Sequence, residues 1–445
     1  MGIGTIAQSP PTVKQNCPRL GPCVPRADGV SSVEWYVKAG FAPTPQGSDG
    51  GFLDGDDMTS LLLTNCRLPE SHDAEPLRSV LVRDGLIERI ADVHWRTDAD
   101  QVIDAEGKLV APGFIDVHIQ GAGGADVLDA TPEALQTFSQ TCARFGVTAF
   151  LATTIYRPGQ RNDHLRLAAE HTGRDLGGAR LLGTHLEGPF ISPHKRGMIQ
   201  PDCLGEASAA ILADIYTLLG STLKMMTVAP ELPGSDEIIH TLVRHGTVAS
   251  FGHSKATYDE TLRGFDMGMT HVTHTFNAMP SLHHRDPGPL AAIFERPGVT
   301  CQVITDGVHI HPSVVRLTYR AIGPERFVTI TDGIQALGLP DGRYVYNGLE
   351  YECRNGTPRY KDGTLIGTAV TLNELVTRLI RFTQCPLSAA IRTVTENPAR
   401  VLGLAQKKGR IAPGYDADLV LLENDLSVRA TIVAGQIVYG RQTRK

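Results

Sequence analysis

The stretch MMTVAPELPGSDEIIHTLVRHGTVASFGH, residues 225–253, decides the architecture. Two short apolar runs, MMTVAPE from 225 and VASFGH from 248, flank a helix-length segment, so the chain reads strand, helix, strand. Neither run alternates polar and apolar residues, as expected of parallel strands covered on both faces. The texture repeats outward in both directions. FIDVHI from 114, TAFLATT from 148 and LLGTHLE from 181 precede the stretch, and HVTHTF from 271, CQVITD from 301 and FVTITD from 327 follow it. Eight such strands with intervening helices predict an α/β fold, a closed (β/α)8 TIM-type barrel; a doubly wound open sheet is the alternative.

The two ends of the chain have a different texture. SLLLTNCRL from 60, SVLVRDGLIERI from 79 with Asp84-Gly85 as a hairpin turn, and QVIDAEGKLVAPG from 101 read as antiparallel strands. ADLVLLENDLSVRATIVAGQIVYG, 417–440, returns to the same pattern. The ends are therefore expected to join in one small β-sandwich domain, from 58–112 and 404–445, around a barrel spanning 113–403. Residues 1–57, rich in Pro and Gly, read as a flexible extension or as translation from an upstream start, since Met58 opens the first strand-like run.

Composition excludes several classes. Hydrophobic residues at 41% and charged residues at 20% describe a globular chain with a large core. A formal charge of -6 without a long basic run speaks against nucleic-acid binding. No run approaches the about 18 apolar residues of a membrane span, and the start lacks a secretory signal's order, so a cytoplasmic protein without membrane partners is expected. The eight cysteines form no CxxC pair, which leaves reduced thiols as the reading. GAGG, 121–124, lacks the Lys-Ser/Thr continuation of a phosphate-binding P-loop and reads as a close backbone turn.

A barrel of this kind builds its active site at the carboxyl ends of its strands, and here those ends are polar. His118 and Gln120 close the first run, His185 and Glu187 the third, His253 the fifth, His271 and His274 the sixth, and Asp332 the eighth. A lone histidine is most often a hydrogen-bonded core or surface side chain, but strand-end His and acid residues recurring in five runs call for a shared partner. A divalent cation satisfies several at once. Glu187, His253 and His274 would supply one carboxylate and two imidazoles and leave a position for water, the pattern of a catalytic site. Asp332 beside that water could take its proton and hand it to a leaving amine.

With these residues in view, the order PGFIDVHIQGAGG (112–124), GVTAFLATT (146–154), HLEGPFISP (185–193), VAPE (228–231), GHSKATYDE (252–260), THTFNAMP (273–280), HRDPG (284–288), DGVHIHP (306–312), TDG (331–333), GTLIGT (363–368) and NPAR (397–400) resembles the N-acetylglucosamine-6-phosphate deacetylase family, a branch of the amidohydrolase superfamily. The resemblance runs from about residue 58 to the end. It implies Glu187, His253 and His274 as metal ligands and Asp332 as the catalytic aspartate. It implies Asn277, Ala278 and His309 as substrate-binding residues, with Arg285 reaching the sugar phosphate from the neighbouring subunit of a homodimer. The expected substrate is a phosphorylated amino sugar. The expected cofactor is one divalent metal ion per subunit, zinc by preference, with iron, manganese or cobalt also suited to the ligands.

Two departures from the family pattern stand out. The first strand reads His118-Ile119-Gln120, where relatives carry two His or none; His118 with the weak ligand Gln120 leaves a second metal open. After the third strand, Ile199 replaces a usual His, so one polar contact to the sugar is expected to be missing. These departures keep a rival open, an amidohydrolase for a different N-acetylated amino sugar phosphate. The more distant rival is a catalytically inactive barrel with an assembly role, which the intact Glu187, His253, His274 and Asp332 oppose. His271 and His283 are read as structural or solvent-facing, and Cys301 as packing.

Overall fold

The computed structural model describes residues 60–70 and 76–440; the reading of 1–57 as an extension lies outside them. Strands β1 (Ser60–Cys66), β2 (Arg78–Arg83), β3 (Leu86–Asp92) and β4 (Gln101–Asp104) form one sheet in the order β3-β2-β1-β4. Asp84 and Gly85, at φ 51° and 76°, make the two-residue turn between β2 and β3 that their sequence predicts. One expectation fails here. β4 runs parallel to β1, pairing Leu61 with Gln101, rather than antiparallel. After β3 the chain crosses the sheet and lays β4 on the free edge of β1, where a crossover gives the same direction rather than the reversal of a hairpin.

β5 (Leu109–Pro112) then leaves that sheet and joins strands from the other end of the chain. Its partner is β19 (Leu419–Leu422), antiparallel in register Leu109 to Leu422, followed by β20 (Val428–Val433) and β21 (Gln436–Gly440). Leu61, Leu63, Val80 and Val82 from one sheet and Val110, Leu419, Leu421 and Ile432 from the other share one buried cluster, which makes the two sheets a sandwich.

Between these halves lies the barrel. β6 (Phe114–Ile119) is followed by a small hairpin of β7 (Gly121–Ala122) and β8 (Ala125–Asp126), the turn expected at GAGG. Then come β9 (Val147–Thr154), β10 (Arg180–Glu187), β11 (Leu223–Val228), β12 (Val248–Phe251), β13 (His271–Val272), β14 (Thr300–Val303) and β15 (Phe327–Thr329). They pair in sequence order, all parallel, and β6 and β9 are buried along their whole length. A helix follows each strand, from Pro132–Arg144 after β6 to Leu372–Thr383 after β15. Apolar faces such as Leu135, Phe138 and Cys142 of the first helix cover the outside of the barrel, with Phe138 and Phe150 ring centroids 4.6 Å apart. Burying such a side chain contributes roughly 1.5–3 kcal/mol.

The ends of the sheet, β6 and β15, do not form a ladder with each other. At the amino-terminal side Thr393 and Val394 fill the seam, accepting from Thr329 N at 3.1 Å and Ile115 N at 2.7 Å. At the carboxyl side the backbone closes directly: Asp332 N donates to His118 O at 2.9 Å and Gln120 N to Gly333 O at 2.7 Å. Inside the seam the Thr331 hydroxyl donates to Asp116 Oδ2 at 2.6 Å, and burial lifts the Asp116 carboxyl to about 7.

A three-stranded antiparallel sheet, β16 (Gly342–Tyr346), β17 (Leu349–Arg354) and β18 (Thr357–Tyr360), is inserted between β15 and the last barrel helix. Its inner residues Tyr346, Tyr351 and Cys353 pack on Ile334, Ala336 and Ile366. The six described cysteines are free and buried, Cys301 among them. Among the described residues no helix is long and apolar enough to cross a membrane.

His271 is fully buried, with Nδ1 2.6 Å from Thr300 Oγ1, and burial with His118 nearby lowers its pKa to about 3. A folded value below the unfolded one gives stability that is present above pH 6.5 and lost as pH falls toward 3. The loss is about 1.4 kcal/mol per pH unit. Urea unfolding of wild type and His271→Gln between pH 7 and 4 is expected to show a shallower decline for the variant; parallel declines would assign the acid sensitivity to other groups.

Candidate active site

Three strand ends converge on one carboxylate oxygen. Glu187 closes β10, and its Oε1 lies 3.0 Å from His253 Nε2 beyond β12 and 3.0 Å from His274 Nε2 beyond β13. The two imidazole nitrogens are themselves 3.0 Å apart. His253 Nδ1 is 2.7 Å from the Lys195 carbonyl oxygen, which can only accept, so the proton sits on Nδ1 and Nε2 presents a lone pair to the cluster. Lone pairs packed at this spacing repel one another unless a proton or cation lies between them. All three side chains are buried, and together they form a group whose ligand atoms lie within 4.8 Å of one another, a donor set that fits a divalent cation.

His118 stands beside this group. Its Nδ1 is 2.9 Å from Gln302 Oε1, which also accepts from His274 N at 3.2 Å. That orientation makes Nδ1 the donor and turns Nε2 toward Asp332 Oδ1 at 3.2 Å and Glu187 Oε1 at 3.5 Å. Burial alone would push the His118 pKa down, but the Asp332 and Glu187 carboxylates outweigh it and hold it well above its ordinary value. The same contact works in reverse: burial would raise both carboxyls, yet His118 first among their neighbours holds Glu187 well below, and Asp332 below, the usual range. His185, a strand-end residue of β10, instead bonds Val117 O and Thr227 Oγ1 and is kept neutral by burial.

The backbone at these residues is unusual. His253, His274 and Asp332 have φ of 48°, 23° and 49°, a left-handed region that side-chain-bearing residues rarely occupy. Such conformations cost of order 1–3 kcal/mol each and persist where the surroundings impose them. For Asp332 the surroundings are visible. Its N–H is held by His118 O, and its carbonyl accepts from Thr368 N at 2.9 Å. Gly367, at φ 80°, passes so close that a Cβ there would lie 2.2 Å from the Asp332 oxygen.

Gln120 is 1% exposed; its Nε2 donates to Asp332 Oδ1 at 3.3 Å and its Oε1 accepts from the Tyr346 hydroxyl at 2.5 Å. Asn277 and Ala278 lie three and four residues after His274, with Asn277 Nδ2 on His274 O at 3.3 Å and Ala278 O accepting from Ser254 N at 3.2 Å. His309 sits in the loop after β14, its Nδ1 2.7 Å from Asp306 Oδ2. Arg285 is exposed and contacts its neighbours His283 and His284. Ile199 is buried against Ile155, Ile191 and Cys203. Sequence reading missed Gln302, Tyr346 and Lys195, whose Nζ donates to Met279 O at 3.1 Å beside Asn277 and Ala278. Lys195 had a signal, since it lies four residues before Ile199 in the segment after the third strand; Gln302 and Tyr346 had none.

A parallel barrel that gathers one carboxylate and two imidazoles at its strand ends defines the metallohydrolase class of barrel enzymes. The amidohydrolase family model matches residues 109–438, and the chain belongs to that family. It is 33% identical over 385 residues to N-acetylglucosamine-6-phosphate deacetylase of Bacillus subtilis, covering 85% of this chain and 97% of that one. It is also 33% identical over 337 residues to N-acetylgalactosamine-6-phosphate deacetylase of Escherichia coli, covering 76% and 89%. The solved structure of a mutant N-acetyl-D-glucosamine-6-phosphate deacetylase from Mycobacterium smegmatis, in complex with N-acetyl-D-glucosamine-6-phosphate, superposes with a TM-score of 0.78 at 30% identity, covering 86% of this chain and 99% of that one.

The close approach of Gly367 makes a sharp prediction. Gly367→Ala is expected to push the Asp332 turn out of place and lower turnover at least tenfold, while elemental analysis finds the divalent metal content unchanged. Full activity in that variant would show that the turn tolerates displacement.

Proposed function

We propose that this chain hydrolyses the acetamide of N-acetyl-D-glucosamine 6-phosphate to D-glucosamine 6-phosphate and acetate. The observation that carries the reading is the 3.0 Å triangle of Glu187, His253 and His274 with Asp332 Oδ1 close to it through His118. In this reading Glu187, His253 and His274 hold one divalent metal ion, zinc by preference, while His118 would be available to a weaker second ion only on giving up its Nε2 proton. The bound cation supplies Lewis-acid polarisation of the amide carbonyl and acidifies water. Asp332, kept ionised by His118, takes the proton from the attacking water and delivers it to the nitrogen as the C–N bond breaks. Water adds to the carbonyl carbon, acetate leaves with the new oxygen, and the sugar nitrogen leaves as an amine.

The remaining residues position the substrate. The Ala278 N–H, the Asn277 amide and Arg285 of a second copy in a homodimer would hold the dianionic phosphate, with His309 on the sugar. The His309 ring is braced by Asp306, whose own carboxyl also accepts Val308 N and His309 N at 2.9 Å. Binding the phosphate far from the scissile bond lets remote binding energy place the acetamide over the metal. A phosphorylated sugar does not cross a lipid bilayer, which supports a cytoplasmic location for the reaction.

The relative that acts on the galacto isomer gives the second reading its weight. Acetate release from N-acetylglucosamine 6-phosphate should exceed that from unphosphorylated N-acetylglucosamine and from N-acetylgalactosamine 6-phosphate at least tenfold in kcat/KM; the reverse order for the two phosphates would assign the second reading. Asp332→Asn is expected to cut kcat by a factor of about a thousand with metal content retained, and wild-type turnover there would remove the assigned proton carrier.

A further inference from the structure

The inserted sheet β16–β18 reaches the site through one side chain. Tyr346 ends β16, is 3% exposed, and packs in the cluster with Ile334, Ala336 and Ile366 that backs the Asp332 turn. The Asn347-Gly348 turn that follows is pinned from outside: Gln200 Nε2 donates to Asn347 O at 2.9 Å, and Arg157 Nη2 donates to Asn347 Oδ1. The Tyr346 hydroxyl is thereby delivered to Gln120 Oε1, and the far end of the same amide meets Asp332 Oδ1.

The direction of this chain of bonds follows from chemistry. An ionised carboxylate accepts only, so Gln120 must turn its NH2 to Asp332, which leaves its oxygen for a donor. Tyr346 supplies that donor, and burial lifts its phenol far above the ordinary value, so the proton stays on it. His118 Nε2 contacts the same Oδ1 of Asp332, at 3.2 Å. Both restraints therefore fall on one carboxylate oxygen, and Oδ2 remains to carry the reacting proton.

We propose that Tyr346 is a positioning residue that acts through Gln120: it locks the amide so that its NH2 orients Asp332, and it occupies the amide oxygen that would otherwise be offered to a cation. The inference rests on Asp332 being the proton carrier. Its consequence is that an insertion outside the strand–helix repeat sets the geometry of the carboxylate.

A double-mutant cycle tests it. Tyr346→Phe is expected to lower kcat about tenfold with KM within twofold, and with metal content and melting temperature close to wild type. Gln120→Ala should fall as far or further, and the double variant no further than Gln120→Ala alone. Gln120→Glu, nearly isosteric, replaces the donor with an acceptor and is expected to fall at least as far as Tyr346→Phe, which covers the case in which the alanine variant does not fold. A double variant whose loss is the product of the two single losses overturns the proposal. So does an unchanged kcat in Tyr346→Phe, or a fall that comes with a raised KM and a lowered melting temperature. Active Asp332→Asn would instead remove the functional reading, so the two failures are separable.

Discussion

Glu187 Oε1 is the atom on which this structure turns. A buried carboxylate is costly unless charge and hydrogen bonds compensate it, and here His253, His274 and His118 approach the same oxygen from three other strands. None of these contacts is possible unless the strands stand side by side with their carboxyl ends level. The site thus depends on the register of the barrel. A shift of one residue in β12 or β13 would turn the side chains to the opposite face and leave the carboxylate without partners.

The left-handed backbone at His253, His274 and Asp332 belongs to the same economy. Each strand stops and the chain turns sharply, which aims the side chain across the mouth of the barrel rather than along its wall. The strain is held by neighbours that a local view would miss: the Lys195 carbonyl behind His253, Gln302 behind His274, and Thr368 with Gly367 behind Asp332. This buttressing separates a site that binds from one that also fixes angles.

The barrel strands were readable because burial on both faces leaves uninterrupted apolar runs, and the polar strand ends stand out against them. Asp84-Gly85 was readable because a two-residue hairpin favours few residues. β4 was not, since strand direction depends on which edge is free, and that is settled by residues far away in sequence. The sheet at 342–360 has no long apolar run of its own, its central strand β17 alternating apolar and polar residues, and it lies between motifs that match a family pattern. Gln120 could be read as a weak oxygen ligand from its position, but the partner of its oxygen, Tyr346, lies 226 positions away. Ile199 was read through the polar contact it lacks, whereas in the fold it belongs to an apolar cluster. Side chains that touch across the barrel mouth leave no periodic trace.

The pairing of β5 with β19 joins residues 109–112 to 419–422, across nearly the whole barrel. A ribosome releases these segments far apart in time, so β5 emerges early with an unpaired edge while the strand that covers it has yet to be made. The barrel strands find partners among immediate neighbours as they appear, but half of the sandwich must wait for residues 419–440. The stitch between β5 and β19 is therefore made late, and a chain cut short before 419 would carry an open β edge suited to aggregation.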